Sequence, residues 1–363
     1  MRRRDFLSKT GKLGAAAGAS ALASPALASG TLNLKLVGAF PRGFPGVGTS
    51  AERLAKRIEA LSDGKLTINY YGGGELVPPF EVFSAVSSGV ADIGHNAPYY
   101  QVGVVRSTMY FTAIPYGLDA TEQAGWIYYG DGQKLWNEAY APHGVLPFYA
   151  GNSGAQAGGW FKKPITSIDD LIGLKMRIAG LGGDILRKLG VATVVTPPAE
   201  IYPALQSGAV DAAEFVGPWN DLALGLYRAA PNYYAPAFHE PGGGLEMIVN
   251  QNRFETLSPF LQNVLKSAAQ AEAEAITSEF RYYNTRAMKT LRDKGITVSA
   301  FPKDVVEAIG QATKEVLQEY PGEPALNQKI HASYMEFLKE CTSYAPKFEG
   351  QLYKDREIVW ANS

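Results

Sequence analysis

Arg177 is the residue of this chain whose type and position most directly suggest ligand chemistry. It lies near the end of a short strand-like run, residues 174–178, which leads into a glycine-rich turn. A guanidinium at such a strand end can hold a carboxylate through two parallel hydrogen bonds. The alternative is an arginine that only forms a surface ion pair. The position therefore predicts a carboxylate-binding residue or an ordinary ion-pair partner.

Gln156 and Glu214 are further polar candidates beside strand-like runs. Gln156 alternates with Trp160, and it could bind a ligand or merely satisfy a buried backbone group. Glu214 follows the apolar run at residues 210–213, and it could bind a ligand or cap the helix predicted near Pro218. Residue type alone leaves both alternatives open.

The sequence lacks the motifs that would indicate an enzyme. Ser153 is not followed by the second glycine of a G-x-S-x-G elbow, and residues 180–186 lack the spacing of a dinucleotide-binding loop. The four histidines show no H-E-x-x-H or paired metal-ligand spacing; they are His95, His143, His239 and His331. These features favour a binding protein over an enzyme.

The elements that must position the candidate residues alternate along most of the chain. Short apolar runs are separated by amphipathic helical segments, as where Leu54 and Ile58 fall on one helical face. This alternation predicts an α/β fold. A chain of 363 residues exceeds the usual size of a single core. The similar segments at residues 85–94 and 204–215, each a helix with a Ser-Gly stop before a strand, predict two related lobes.

The N-terminus predicts export. Three arginines at residues 2–4 precede an alanine-rich apolar stretch and the small residues 26–28, which is the order of a twin-arginine signal cleaved after Ala28. The sequence has no cysteine near that point, so a lipid anchor is not expected. No later run reaches the roughly 18 apolar residues of a membrane span. We therefore expect a periplasmic protein.

Composition narrows the class of partner. A net charge of -1 gives no reason to expect binding to nucleic acid or to an anionic membrane surface. Cys341 is the only cysteine, so an internal disulfide is ruled out; a buried helix residue is expected there, with an intermolecular bridge as the alternative.

From residue 32 to at least residue 345, the chain resembles the solute-binding receptors of tripartite ATP-independent periplasmic (TRAP) transporters, in particular those for 2-oxo and 2-hydroxy monocarboxylates. The segments that carry the resemblance are residues 72–95, 114–138, 151–161, 173–180 and 201–219. The resemblance implies a two-lobed periplasmic-binding-protein fold with a hinge and long C-terminal helices. It also implies capture of an acid such as pyruvate or lactate for membrane permease subunits. A receptor that feeds a signalling partner would have the same site.

The resemblance also implies roles for individual residues. Arg177 matches the carboxylate clamp of these receptors, and Asn152 and Tyr100 match pocket-lining positions. The positions that match metal and ligand contacts are Gln156, Glu214 and Phe215, with Glu240 as a further carboxylate of the cation site. Phe215 stands where a tryptophan is expected, and His239 replaces another aromatic residue of the pattern.

The charges at these positions predict a bound cation. A ligand carboxylate, Glu214 and Glu240 bring three negative charges, against which only Arg177 is positive. Burying unmatched anions would cost several kcal/mol or force protonation. We expect Ca²⁺, which prefers about six to eight oxygen ligands, with Na⁺ as the alternative. The lack of soft ligands argues against a thiol-type transition-metal site.

The predicted organisation has four parts. Residues 1–28 are the signal, residues 29–150 form mainly the first lobe, and residues 151–250 form mainly the second. Residues 251–363 form a helical region that braces the lobes. Its last segment, from residue 325 to about residue 360, carries more aromatic surface than a solvated tail should, which predicts packing across a second copy in a homodimer.

Overall fold

The computed structural model describes residues 31–360, so the predicted export signal at residues 1–28 lies outside them. The described strands are β1 Leu32–Gly38, β2 Leu66–Tyr71, β3 Ile93–Asn96, β4 Val145–Asn152, β5 Gly159–Phe161, β6 Lys175–Arg177, β7 Ala192–Val194, β8 Ala212–Ala213, β9 Asn232–Tyr234, β10 Gly244–Asn250 and β11 Val298–Ser299. The described α-helices are α1 Val47–Leu61, α2 Val82–Ser87, α3 Met109–Thr112, α4 Ala120–Tyr129, α5 Gly132–Tyr140, α6 Leu181–Lys188, α7 Pro198–Ser207, α8 Pro218–Leu224, α9 Gln251–Glu255, α10 Pro259–Asp293, α11 Lys303–Glu319, α12 Ala325–Tyr344 and α13 Glu349–Trp360.

The strands form two sheets, one in each lobe. The first sheet has the order β2-β1-β3-β10-β4, in which β1 runs parallel to β2 and β3 while β10 is antiparallel to β3 and β4. The second sheet has the order β11-β9-β5-β8-β6-β7, in which β6 runs parallel to both β7 and β8. Helices pack against both sheets, as expected for parallel strands. The predicted two-lobed α/β fold is confirmed.

Local sequence explains why the helices of the two lobes start and stop where they do. Leu54 and Ile58 of α1 are fully buried against the first sheet. The similar helices α2 and α7 are each followed by a glycine at positive φ, Gly89 at 78° and Gly208 at 83°. Glycine adopts this conformation without the steric cost that a Cβ would bring, so both helices end where the Ser-Gly pattern predicts.

The chain crosses between the sheets rather than completing one lobe before the other. Residues 153–158 lead from β4 to β5, and residues 235–243 lead from β9 back to β10. Strand β10 therefore lies in the first sheet, although the predicted range of the second lobe includes it. All but the last of its residues are buried, which suits an interior strand between β3 and β4.

The longest helix, α10, contacts both lobes. It packs against β4 and α1 of the first lobe and against α8 of the second. The approach to β4 is close, because a Cβ added to Gly151, whose φ is 130°, would lie 2.0 Å from Cγ2 of Ile276. This glycine lets a helix of 35 residues lie directly on the strand that leads out of the first lobe.

The last two helices differ in how much of their surface the same chain covers. Ile330 and Tyr334 of α12 are fully buried, and the Tyr334 hydroxyl accepts a 2.9 Å hydrogen bond from the Leu118 N–H. This part of the aromatic surface predicted to face a partner is therefore covered within the chain. Tyr344 and the α13 residue Tyr353 remain exposed, and no residue of Glu349–Trp360 is buried.

Cys341 is buried in α12 with a free thiol. No helix within residues 31–360 is long and apolar enough to span a membrane.

Glu246 of β10 is a fully buried carboxyl in a hydrogen-bonded cluster. Gln101 donates to its Oε1 at 2.6 Å and the Tyr140 hydroxyl donates to its Oε2 at 2.9 Å. Burial raises the pKa of Glu246 to about 8, although these two hydrogen bonds act in the opposite direction. The carboxyl of the folded protein therefore holds its proton at pH values where the unfolded chain has lost it.

This difference predicts how stability depends on pH. Between the ordinary pKa of a glutamate and about pH 8, the unfolded state binds fewer protons than the folded state, so the free energy of unfolding falls as pH rises. Glu246→Gln removes that titration. From about pH 5 to about pH 8 we expect wild type to lose on the order of 2 to 4 kcal/mol more than the variant. Urea unfolding at both pH values measures the difference.

The exposed Glu323→Gln variant is the matched control and should behave as wild type. Equal pH dependence in wild type and Glu246→Gln would contradict the assignment of a raised pKa.

Candidate functional site

A small pocket with about 20 Å³ of free space lies between the two lobes. Its lining residues are Phe40, Val47, Ala97, Tyr99, Tyr100, Thr112, Ser153, Gln156, Phe215, Val216, Glu240, Gly243, Gly244 and Leu245. They come from the ends of first-lobe strands, from the segment after β8 and from both crossing segments. The topology therefore brings residues that are far apart in sequence to one place.

The parallel pair β6 and β8 positions the charged residues of the second lobe. Arg177 ends β6 opposite Ala213 of β8, and the Glu214 N–H donates to the Arg177 carbonyl at 3.1 Å. Because the carboxyl ends of adjacent parallel strands meet at one edge, the two side chains leave the sheet together. Both are buried, each with 1% exposure, which excludes the surface ion pair considered for Arg177.

The guanidinium of Arg177 is largely occupied within the protein. Nη1 donates to Glu214 Oε1 at 2.8 Å and to the Glu214 carbonyl at 2.7 Å, while Nε and Nη2 donate to the Thr196 carbonyl at 3.3 and 3.1 Å. An arginine has five N–H donors, so one N–H on Nη2 remains outside these bonds. A grip with two parallel hydrogen bonds on a ligand would require the release of Thr196 or Glu214.

The first crossing segment contributes Gln156 and places Asn152 beside the site. Gln156 Nε2 donates to Glu240 Oε2 at 2.7 Å and to Ser153 Oγ at 2.8 Å. Asn152 donates to Gln123 Oε1 at 2.8 Å and accepts from the Gly154 N–H at 2.8 Å. It is not among the lining residues, and this bonding is that of a turn residue.

The second crossing segment contributes His239 and Glu240, both buried. Nε2 of His239 lies 3.4 Å from Glu214 Oε2. Among residues 31–360, neither ring nitrogen of His239 has a hydrogen-bond partner. Sequence reasoning noted His239 only as a departure from the pattern of related receptors. Its side chain in fact lies at the centre of the polar cluster.

Three buried side-chain oxygens in this cluster also lack a hydrogen-bond partner in the described part of the chain: Gln156 Oε1, Glu214 Oε2 and Glu240 Oε1. Candidate ligand atoms of Glu214, His239 and Glu240 all lie within 4.8 Å of one another. Buried polar atoms without partners are costly, so such a set in one place needs a ligand or an ion. The donor set fits a cation.

The two carboxylates differ in their electrostatics. Burial raises the pKa of Glu240 to about 7, and the negative charge of Glu214 acts in the same direction. Burial also acts to raise the pKa of Glu214, but Arg177 and His239 outweigh it and hold that pKa below its ordinary value. Glu214 is thus the carboxylate whose charge the protein itself stabilises.

Aromatic rings form a wall of the pocket beside the polar cluster, where the Arg177 guanidinium lies 5.8 Å from the centre of the Phe215 ring. Tyr99 and Tyr100 stack with ring centroids 4.9 Å apart, and Phe40 lies 6.1 Å from Tyr100. Phe215 packs edge-on against Phe44 at 5.9 Å. The predicted pocket positions Tyr100 and Phe215 therefore both line this wall.

Sequence reasoning missed several lining residues, including Phe40, Val47 and Thr112. One signal for the site was available, the glycine run at residues 242–244. A Cβ on Gly243 would lie 2.6 Å from Gln156 Nε2 and 2.9 Å from Glu240 Oε2. Only glycine lets the backbone approach the polar cluster so closely.

Two α/β lobes joined by crossing segments, with a small buried polar pocket between them, define a two-lobed solute-binding receptor. The comparison with known families agrees. Residues 45–323 match bacterial extracellular solute-binding protein, family 7, and the chain belongs to this family. The family consists of periplasmic transport receptors rather than enzymes, so the predicted TRAP receptor is confirmed.

Individual relatives cover most of the chain. It is 37% identical to a monocarboxylate 2-oxoacid-binding periplasmic protein of Nostoc sp. over 80% of each chain. A TRAP solute-binding protein of Bordetella bronchiseptica has a TM-score of 0.88 and 32% identity, and it covers 92% of this chain and 100% of its own. Its crystal structure is a mixed-occupancy dimer with co-purified calcium and picolinate. A counterpart from Pseudoalteromonas atlantica with bound sodium and pyruvate has a TM-score of 0.86 and 34% identity over 89% of this chain and 99% of its own.

The buried pair predicts how the site contributes to stability. Arg177→Leu leaves the Glu214 carboxylate buried without its arginine, so we expect a loss of about 3 to 5 kcal/mol in the free energy of unfolding. The double variant Arg177→Leu/Glu214→Leu removes both charges and should be more stable than Arg177→Leu alone. Urea unfolding at neutral pH measures both.

Lys289→Ala, which breaks an exposed ion pair with Asp293, should have little effect in the same assay. If the double variant were less stable than Arg177→Leu, the two charges would not be coupled as the geometry requires.

Proposed function

We propose that this protein captures a small 2-oxo monocarboxylate together with a cation and delivers it to the membrane subunits of a TRAP transporter. The observation that carries the proposal is the set of three buried oxygens that lack a partner within residues 31–360, on Gln156, Glu214 and Glu240. They lie beside the buried Arg177–Glu214 pair. Support comes from the Nostoc relative, whose name specifies 2-oxoacids, and from pyruvate in the Pseudoalteromonas protein.

Charge balance supports a cation in this role. Arg177 already neutralises Glu214 at 2.8 Å. An incoming carboxylate would face Glu240 at close range, and two carboxylates in a buried site repel each other strongly. A cation held by Gln156, Glu214, Glu240 and the Phe215 carbonyl would supply the missing positive charge. The carboxylate and 2-oxygen of the ligand can both bind the same ion, which favours 2-oxo and 2-hydroxy acids over simple acids.

Calcium is the ion that we favour, with sodium as the alternative. Calcium occurs in the Bordetella protein and sodium in the Pseudoalteromonas protein. The donors available here are mostly carboxylate and amide oxygens, which suit Ca²⁺. A divalent ion also balances the ligand and Glu240 together, whereas Na⁺ leaves one negative charge in excess.

The aromatic wall limits the rest of the ligand. Phe40, Tyr99 and Phe215 line the pocket. A second carboxylate or a hydroxylated chain would lose its hydration against these rings. We therefore assign the site to acids with a short apolar substituent. Because both crossing segments and both lobes supply contacts, ligand binding should favour the closed arrangement of the lobes.

Cation removal tests the proposal. Protein treated with a chelator and desalted should bind pyruvate at least about tenfold more weakly, because the ligand carboxylate then meets Glu240 without a balancing charge. Added Ca²⁺ should restore binding, and Glu214→Gln should prevent the restoration. Isothermal titration calorimetry measures the affinities, with lactate and succinate as comparison ligands.

The surface variant Glu323→Gln should respond to chelation as wild type does. If chelated protein bound pyruvate as tightly as before, the proposed role of the cation would be wrong. If no 2-oxo or 2-hydroxy acid bound in the presence of Ca²⁺ or Na⁺, the proposed ligand class would be wrong.

We further propose a homodimer formed through the end of the chain. The exposed apolar residues there are Tyr344, Phe348, Leu352, Tyr353, Ile358 and Val359. An exposed apolar helix of this kind needs a partner surface. The second copy is the occupant that we favour, because the similar Bordetella protein is a dimer.

Substitution of this surface tests the dimer. Wild type should be dimeric in light scattering at micromolar concentration, whereas Leu352→Glu/Ile358→Glu should be monomeric with unchanged pyruvate affinity. Lys354→Glu, on the same helix, is the control for added charge. A monomeric wild type would contradict the proposed dimer.

A further inference from the structure

His239 is the one member of the polar cluster whose nitrogen has a lone pair that can bind a metal ion. Its side chain is fully buried, and among residues 31–360 neither ring nitrogen has a hydrogen-bond partner. Buried imidazoles normally direct at least one nitrogen to a protein group, since an unsatisfied polar atom in the interior is costly. Nε2 approaches Glu214 Oε2 without forming a hydrogen bond, so the ring nitrogens remain available to a ligand.

The surroundings of the ring point to a ligand atom. Nε2 lies 3.4 Å from Glu214 Oε2, itself without a hydrogen-bond partner in the part of the chain that the structure describes. The candidate ligand atoms of Glu214, His239 and Glu240 lie within 4.8 Å of one another. Atoms that can all bind one ion are thus gathered, and they include two carboxylates and an imidazole.

Packing holds the ring in this position. A Cβ on Gly182 would lie 2.6 Å from the Cβ of His239, so the start of α6 is pressed against the residue. Phe238 meets the ring edge-on at 5.1 Å. The imidazole is therefore fixed at the cluster rather than free to turn towards solvent.

We infer that His239 is a further ligand of this cation site and that it adds affinity for divalent first-row transition-metal ions, with Zn²⁺ as the probe, to the Ca²⁺ binding that the oxygen ligands provide. The inference rests on the cation site of the proposed function. Imidazole nitrogen suits zinc and its neighbours, whereas calcium binds through oxygen. One nitrogen added to an oxygen set should therefore raise affinity for Zn²⁺ and leave affinity for Ca²⁺ nearly unchanged. The acid would then be captured either with Ca²⁺ or as its complex with a transition-metal ion.

The test compares metals on the full mature protein and on His239→Phe. Phenylalanine keeps a ring against Phe238 and Gly182 but removes both nitrogens. Competition with a chromophoric chelator measures Zn²⁺, and calorimetry measures Ca²⁺, each with and without pyruvate. We expect wild type to bind Zn²⁺ more tightly than Ca²⁺. In His239→Phe, Zn²⁺ affinity should fall by about tenfold or more while Ca²⁺ affinity stays within about threefold.

A spectroscopic measurement and a control variant show whether His239 itself binds the ion. The visible absorption of the Co²⁺-loaded protein should change in His239→Phe, because it reports the ligands directly bound to the ion. His143→Phe, the same substitution at a half-buried histidine outside the site that packs edge-on against Phe83, should leave all values unchanged. If His239→Phe does not fold, His239→Gln is measured in its place. The relative affinity of wild type for Zn²⁺ and Ca²⁺ tests the inference without any variant.

Equal Zn²⁺ affinity in wild type and His239→Phe would overturn the inference, as would a wild-type preference for Ca²⁺. The first result would instead identify His239 as an ion-pair partner of Glu214. Either result leaves the proposed function standing if pyruvate still binds with Ca²⁺. Failure of pyruvate to bind with any cation would reject the proposed function, while the difference in Zn²⁺ affinity would still report on His239.

Discussion

The constraint on which this structure depends is the burial of negative charge between two lobes. Glu214 keeps its charge in the interior chiefly through Arg177, which lies 2.8 Å away, and through the Ala179 N–H, which donates to the same oxygen at 2.8 Å. Both contacts require adjacent parallel strands that end together, which the second sheet provides through β6 and β8. The second oxygen of Glu214 lies 3.4 Å from His239 Nε2 and has no hydrogen-bond partner among residues 31–360. The sheet thus stabilises one half of the carboxylate and presents the other half to a ligand or ion.

The crossing topology follows from the same requirement. Had each lobe been completed in turn, a single connection would join them, and only the strand ends could supply polar groups to the pocket. Here two connections border the pocket and contribute Gln156 and Glu240, with His239 beside Glu240. Helix α10 contacts both lobes, and Gly151 lets it lie close to β4. Because α10 helps to hold the lobes together, the two connections are free to supply residues to the site. Relative motion of the lobes would then change the distances among these groups directly.

The sequence predicted the parts of this arrangement that depend on local pattern. The strands of the first sheet, the glycine stops at Gly89 and Gly208, and the long helices are encoded in nearby residues. The strands β5, β9 and β11 have only two or three residues each, too few for a period to emerge, and they form because neighbours supply hydrogen bonds. The partners of Arg177 could not be foreseen, since Thr196 is 19 residues away and its carbonyl carries no residue-type signal. The meeting of His239 with Glu214 likewise arises from tertiary packing alone.

The hydrogen bonds that Arg177 forms within the protein limit its part in ligand selectivity. A guanidinium with four of its hydrogen bonds inside the protein is a fixed positive charge more than a free clamp. Its orientation is set before the ligand arrives, so little conformational entropy is lost on binding. Only limited directional contact remains for the carboxylate. Discrimination among acids then falls to the ion, which can bind two oxygens of a 2-oxo acid at once, and to the aromatic wall, which excludes further polar groups. The residues that determine which ion binds therefore also determine which acid binds.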